Sequence, residues 1–244
     1  MYEYKKRIGF SECGTDRKLT ITSLIDAFQD CSTFQSEDSG VGFDVLEARD
    51  LVWVINYWEL QISALPRLCD YVTVGTFPYS FKSCFGLRNF YMKDDKEEFL
   101  VKANSMWTLI DRVQVRPVKA PDFIHEAYDV EPKLDMTYSS RKVLIPGDED
   151  VAISKKEPIH IQPHHLDSNN HVNNGQYAKL ALTLAGEPEI VSLRIDYRRQ
   201  AKLGDVINPV VYEKGNERYV ALNDINGDPY SVSQFILQNS SPNM

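Results

Sequence analysis

The 244-residue chain contains no run of about eighteen apolar residues, so no stretch reads as a membrane-spanning helix. Its opening, MYEYKKRIGF, carries charge but no apolar segment of the kind that a secretion signal needs. Cysteine is scarce: Cys13, Cys31, Cys69 and Cys84 are scattered, with no C-x-x-C pair and no spacing for a disulfide framework or a zinc site. They read as reduced thiols, which points to the cytoplasm. A basic excess is missing too. Lys and Arg number 27 against 35 Asp and Glu, leaving a net charge of −8. Non-specific nucleic-acid binding, which rests on neutralising phosphates, is therefore disfavoured. An acidic partner would have to meet a local patch, such as Arg194, Arg198 and Lys202, or Arg141-Lys142 with Lys155-Lys156. Metal ligands are not convincingly arranged either. His160, His164, His165 and His171 with Asp167 come nearest, but Pro163 breaks a helical spacing, and a strand would hold the first two too far apart. No metal and no cofactor is expected.

What is present is an ordinary globular composition, 43% apolar and 25% charged, able to bury a core without staples. It is organised as a plan used twice. YEYKKRIGF reads as a short strand. In LTITSLIDAFQDCSTFQSEDSG, Ile21, Leu24, Ile25 and Phe28 fall at i, i+3, i+4 and i+7, one face of a helix, and Gly40 supplies a stop. LVWVINYWELQIS, DYVTVGTFPYSF, CFGLRNFYMKD and FLVKANSMWTLIDRVQV follow as strands rich in β-branched and aromatic residues. The second half opens with a strand, PIHIQPHHL, and a helix from about Asn173 to Ala185. Tyr177, Leu180, Ala181 and Leu184 form that helix's apolar face, and Gly186 ends it. IVSLRIDYRR, DVINPVVYE, RYVALND and YSVSQFIL complete the pattern, with hairpin turns at Lys214-Gly215-Asn216 and Asn226-Gly227-Asp228. Even the turn after the first long strand rhymes: Arg67-Leu68-Cys69-Asp70 against Lys202-Leu203-Gly204-Asp205. This predicts a tandem duplication of α+β class, each copy a long helix laid on an antiparallel sheet. The copies are expected over residues 1–120 and 157–244, joined by a weakly periodic linker at 121–156.

The copies differ most where the chain enters each helix. The second reads Asp167-Ser168-Asn169-Asn170-His171, and the first reads Gly14-Thr15-Asp16-Arg17-Lys18. A polar cluster needed for folding should occur in both, so the imidazole and amides point to chemistry. A helix N-terminus offers free N–H groups and a partial positive charge, which polarises a carbonyl placed there. Asn173 or Asn174 is a natural N-cap, and both are candidates to touch a substrate. On an extended approach, Asp167, Asn169 and His171 would project to one face. Asp167 would then orient the imidazole, Asn169 hold a water or a substrate oxygen, and His171 take a proton. Such a group suits attack of water on an activated acyl carbon.

LDSNNHVNN (Leu166 to Asn174) with Tyr177, and IDYRRQAKLGD after it, make the chain resemble the acyl-acyl carrier protein thioesterases, whose members carry two fused hotdog domains. The resemblance spans nearly the whole chain. It implies that Asp167, Asn169 and His171 are catalytic and that the first hotdog domain holds the acyl chain, with Leu24, Trp53 and Ile55 as candidates to line it. It also implies hydrolysis of acyl-acyl carrier protein without a cofactor, with acyl-CoA as an alternative substrate and a homodimer compatible. Plant members place Glu-Cys where this chain has Gln200-Ala201. A thiol nucleophile is thus excluded, glutamine cannot act as base, and Gln200 is left to position water through its amide. A dehydratase or hydratase on the same fold, or a non-catalytic acyl-binding module, are the competing readings.

Overall fold

The computed structural model describes the chain except residues 148–149, 168–170, 188 and 239–244. Backbone contacts divide it into two units, Met1–Tyr138 and Ser139–Met244. In the first, strand β1 (Tyr2–Arg7) leads through a 3-10 turn to helix α1 (Ile21–Asp38) and the short helix α2 (Phe43–Glu47). Strands β2 (Leu51–Ile62), β3 (Tyr71–Lys82), β4 (Phe85–Lys93) and β5 (Phe99–Asp111) follow, then the two-residue β6 (Arg116–Pro117) and helix α3 (Asp122–Glu126). The sheet is antiparallel, in the order β1-β3-β4-β5-β2.

Helix α1 forms because Thr20 caps it, its side chain accepting the Ser23 N–H at 3.2 Å, and because its apolar residues keep the helical period. The expected stripe of Ile21, Leu24, Ile25 and Phe28 is buried to the last residue. Beneath it Phe28, Trp58 and Phe90 pack as a trio with ring centroids 4.9–6.1 Å apart. One charge is enclosed in this layer. The Arg88 guanidinium donates to Gln35 of α1 and to Thr76 Oγ1, the latter at 3.2 Å, and lies over the Tyr128 ring. Burial pulls its pKa down.

The second unit repeats the plan. Its first strand is split in two, β7 (Ala152–Lys155) and β8 (Ile159–His160), which both pair with β10. Pro158, which has no N–H to give, stands at the break. Helix α4 (Asn174–Leu184) and strands β9 (Ile190–Tyr197), β10 (Val206–Lys214), β11 (Glu217–Asn223) and β12 (Pro229–Leu237) complete it, in the order β7-β10-β11-β12-β9. Each unit is thus a helix on an antiparallel sheet with one connectivity, the two hotdog domains expected.

Three local readings need correction. PIHIQPHHL is a strand only over Ile159–His160, because Pro163 starts a 3-10 turn, Pro163–His165. The buried residues of α4 are Gly175, Tyr177, Ala178 and Ala181, with Ala185 buried just past its end, while Leu180 and Leu184 remain half-exposed. Alanine's small side chain permits a helix face to lie close to a sheet, so burial there does not require the leucines. Residues 121–156 are shared between the units rather than lying between them. Ile124 and Tyr128 join a first-unit core with Val41, Leu109 and Ala120, and Val143 packs on Tyr219, Ala221 and Val232 of the second.

The duplication extends to single hydrogen bonds at the helix entrance. In the first unit Cys13 bridges Leu19 and Lys18 bridges Arg67, and in the second Leu166 bridges Val172 and His171 bridges Lys202. Leu19 N–H donates to Pro66 O at 2.8 Å, as Val172 N–H does to Ala201 O at 3.0 Å. Thr20 N–H reaches Glu12 O at 2.9 Å, and Asn173 N–H reaches His165 O at 3.0 Å. The facing turn is tied by an aspartate each time. Asp70 Oδ2 accepts Arg67 N–H at 2.7 Å, and Asp205 Oδ2 accepts Lys202 N–H at 2.8 Å.

One position in this shared frame is strained in only one copy. Cys69 sits at φ 73°, where the second copy has Gly204 at φ 87°. A left-handed L-residue costs about 1–2 kcal/mol, partly offset by the greater freedom of glycine in the unfolded chain. Cys69→Gly should therefore stabilise the protein by about 0.5–1 kcal/mol, read as a higher urea midpoint at unchanged m-value. A lower midpoint would show that the cysteine is not under strain.

Candidate functional site

The second helix entrance is built from the 3-10 turn outward. The Nδ1 atom of His165 accepts the backbone N–H of Gln162 at 3.0 Å, so the turn is capped by its own side chain. This leaves the ring proton on Nε2. Beyond the turn the chain reverses. Asp167 N–H donates to His171 O at 2.8 Å, and Asp167 Oδ1 accepts His171 N–H at 3.4 Å. The Leu166–Val172 bridge closes this pairing, so the two flanks run antiparallel and are not one extended segment as expected. The reversal sets Asp167 across from His171 at the mouth of the loop, in place of alternate positions on one face. Both are half-buried. Asn169 lies outside the described residues.

Helix α4 begins directly after this loop. Asn173 is its cap, with its side chain accepting Gly175 N–H at 2.7 Å, and its carbonyl takes Gln176 N–H at 3.0 Å. Asn173 N–H is spent on His165. Among the described residues, the backbone N–H of Asn174 finds no acceptor, which leaves it as the donor of the first turn available to a ligand. The Asn174 carbonyl accepts the Tyr197 hydroxyl at 3.0 Å. Chemically, the corner offers an imidazole, a carboxylate and a helix N-terminus within a few residues of one another.

The remaining predicted residues are placed as follows. Gln200 is exposed, just past β9, and Ala201 is completely buried. Leu24 and Ile55 are buried in the first unit. Trp53 is half-buried and packs on the Val41–Leu109–Ala120–Ile124–Tyr128 cluster and on Phe81, a cluster to which Leu24 and Ile55 do not belong. Sequence reasoning missed Asp205, whose carboxylate holds Lys202 N–H and takes the Tyr230 hydroxyl at 3.2 Å. Its repeat partner Asp70 was the available signal.

Two family models match the chain: the acyl-ACP thioesterase N-terminal domain over residues 1–128 and the acyl-ACP thioesterase C-terminal domain over residues 148–231. An acyl-[acyl-carrier-protein] hydrolase of Cuphea viscosissima is 25% identical over 82% of this chain, and 52% of its own length is covered. A palmitoyl-acyl carrier protein thioesterase of Cuphea hookeriana is 26% identical over 78% of this chain and 49% of its own. The chain thus spans about half the length of the curated relatives it matches. Among solved structures, an acyl-ACP thioesterase from Bacteroides thetaiotaomicron superposes with a TM-score of 0.84 at 18% identity, covering 97% of both chains. A 12:0-ACP thioesterase from Umbellularia californica superposes at 0.78 with 20% identity, covering 96% of both.

The state of His165 has a pH consequence. Burial first, then His164 and Lys179, hold its pKa below the ordinary histidine value. Below a pH of about 6.5 the unfolded chain takes up a proton that the folded ring resists. The stabilising contribution is therefore present above that pH and is lost as pH falls. His165→Asn should flatten the decline of the urea midpoint between about pH 7 and pH 5. A slope identical to that of the native chain would remove His165 as its source.

Proposed function

The chain belongs to the acyl-ACP thioesterase family, and from that premise we propose that it hydrolyses the thioester of an acyl chain borne on acyl carrier protein, releasing a free fatty acid. The observation that carries the reading is the helix entrance of the second unit. It has the same hydrogen-bonded frame as the first, yet it alone places an aspartate and a histidine at the mouth of the loop.

In this mechanism His171 takes a proton from a water molecule as the oxygen attacks the thioester carbon. Asp167, across the loop mouth, favours the imidazolium that forms. The carbonyl oxygen gains negative charge and is met by the Asn174 N–H and the positive end of α4. The C–S bond then breaks, and His171 returns its proton to the departing thiolate. Each proton is accounted for, and no covalent enzyme intermediate is needed. That agrees with Ala201, which offers no nucleophile, and Gln200 is assigned to holding the attacking water. Asn169 is assigned to the substrate oxygen or the water, and Asn173 to fixing the helix end that faces them. The acyl chain is assigned to the apolar layer of the first unit, with Leu24, Trp53 and Ile55 as contacts.

The test follows free thiol with a chromogenic disulfide on acyl-carrier protein and acyl-CoA. The native chain should release thiol, and His171→Ala should slow release by about 100-fold or more at unchanged helix content. Equal rates in the two proteins would refute the assignment. Consumption of an enoyl substrate without thiol would favour a hydratase, and tight binding without turnover a carrier of acyl chains.

A further inference from the structure

The two helix entrances differ at one more pair of positions, and the paired differences cancel chemically. In the first unit the residue before bridge residue Arg67 is Pro66, which has no N–H, and the residue four past the helix cap is Leu24, fully buried. In the second unit the same positions hold Ala201 and Tyr177. Ala201 is 0% exposed and brings an N–H with it, and Tyr177 is 2% exposed. The Tyr177 hydroxyl accepts the Ala201 N–H at 2.8 Å. A buried amide without an acceptor is costly, so donor and acceptor are present together in one copy and absent together in the other.

The fold does not require this bond, because the first copy builds the same frame without it. What the bond adds is a tie to the candidate site. Ala201 O holds Val172 N–H at 3.0 Å, and the next residue, Lys202, bridges His171. Tyr177 belongs to α4, whose first turn is the proposed anion-stabilising end. Its ring meets Tyr197 edge-on at 5.8 Å, and Tyr197 in turn donates to the Asn174 carbonyl. Burial raises the Tyr177 pKa to about 12, so the hydroxyl stays neutral. One hydroxyl thus connects the helix end to the turn that flanks His171.

We infer that Tyr177 is a positioning residue: its hydroxyl, through Ala201, fixes His171 against the first turn of α4. The effect on rate rests on the hydrolase reading above. The effect on the corner's rigidity does not.

The two roles separate in a pair of variants of the full chain. Tyr177→Phe orphans the Ala201 N–H and should lower both the urea midpoint and kcat. Tyr177→Phe/Ala201→Pro removes the orphan, as the first copy does, so the urea midpoint should recover. Its kcat should nevertheless stay about ten-fold or more below native, with KM within about two-fold. If kcat returns together with stability, Tyr177 is merely structural and the inference is overturned. A change in KM alone overturns it as well. Should Tyr177→Phe not fold, the double variant carries the comparison by itself. Deuterium exchange at the Val172 amide reads the corner without reference to activity, and it should quicken about ten-fold in Tyr177→Phe. If the native chain releases no thiol, the hydrolase reading fails, and this exchange alone decides whether the bond holds the corner. Unchanged exchange would sink it.

Discussion

The candidate site depends on a backbone constraint. A helix entrance is clamped between two short antiparallel bridges, one to the 3-10 turn before it and one to the turn after the following strand. Backbone bonds of this kind are indifferent to side chains. The clamp therefore survives with Lys18 or His171 at the bridge, Gly14 or Asp167 at the loop mouth, and Pro66 or Ala201 behind. That indifference lets the two copies of a duplicated fold carry different side chains at this corner on one backbone frame.

The clamp also determines what the helix end can do. Most of the first-turn amides of α4 are consumed by the corner, through His165 O and the Asn173 side chain and carbonyl. A helix N-terminus is usually treated as a cluster of equivalent donors. Here, among the described residues, capping leaves the Asn174 N–H without an acceptor, next to the loop that carries His171.

Much of the fold was legible because its signals are local and periodic. The α1 stripe from Ile21 to Phe28 is buried as its spacing predicts, and eight strand-like runs correspond to β2–β5 and β9–β12. Errors arose where a local signal competed with a packing decision. Leucines outrank alanines on any hydrophobicity scale, so the pattern predicts Leu180 and Leu184 inward, yet the buried residues of α4 are Gly175, Tyr177, Ala178 and Ala181. Ile124, Tyr128 and Val143 are buried without any sequence signal, because single core residues spread along a loop carry no period. At the site, residue spacing places Asp167 and His171 on one extended face, whereas their backbone bonds set them opposite each other.

From its order of residues alone, this protein determined its duplicated α+β plan, the position of both long helices and the residues distinguishing one helix entrance from the other. These follow from side-chain period, capping chemistry and turn propensity, all of which act over a few residues. Only the tertiary structure decided which face of α4 is buried, which first-turn N–H remains available, and that Tyr177 meets Ala201 twenty-four positions away. Those outcomes depend on backbone donors and acceptors finding partners across distant segments. No local pattern in the residues records that pairing.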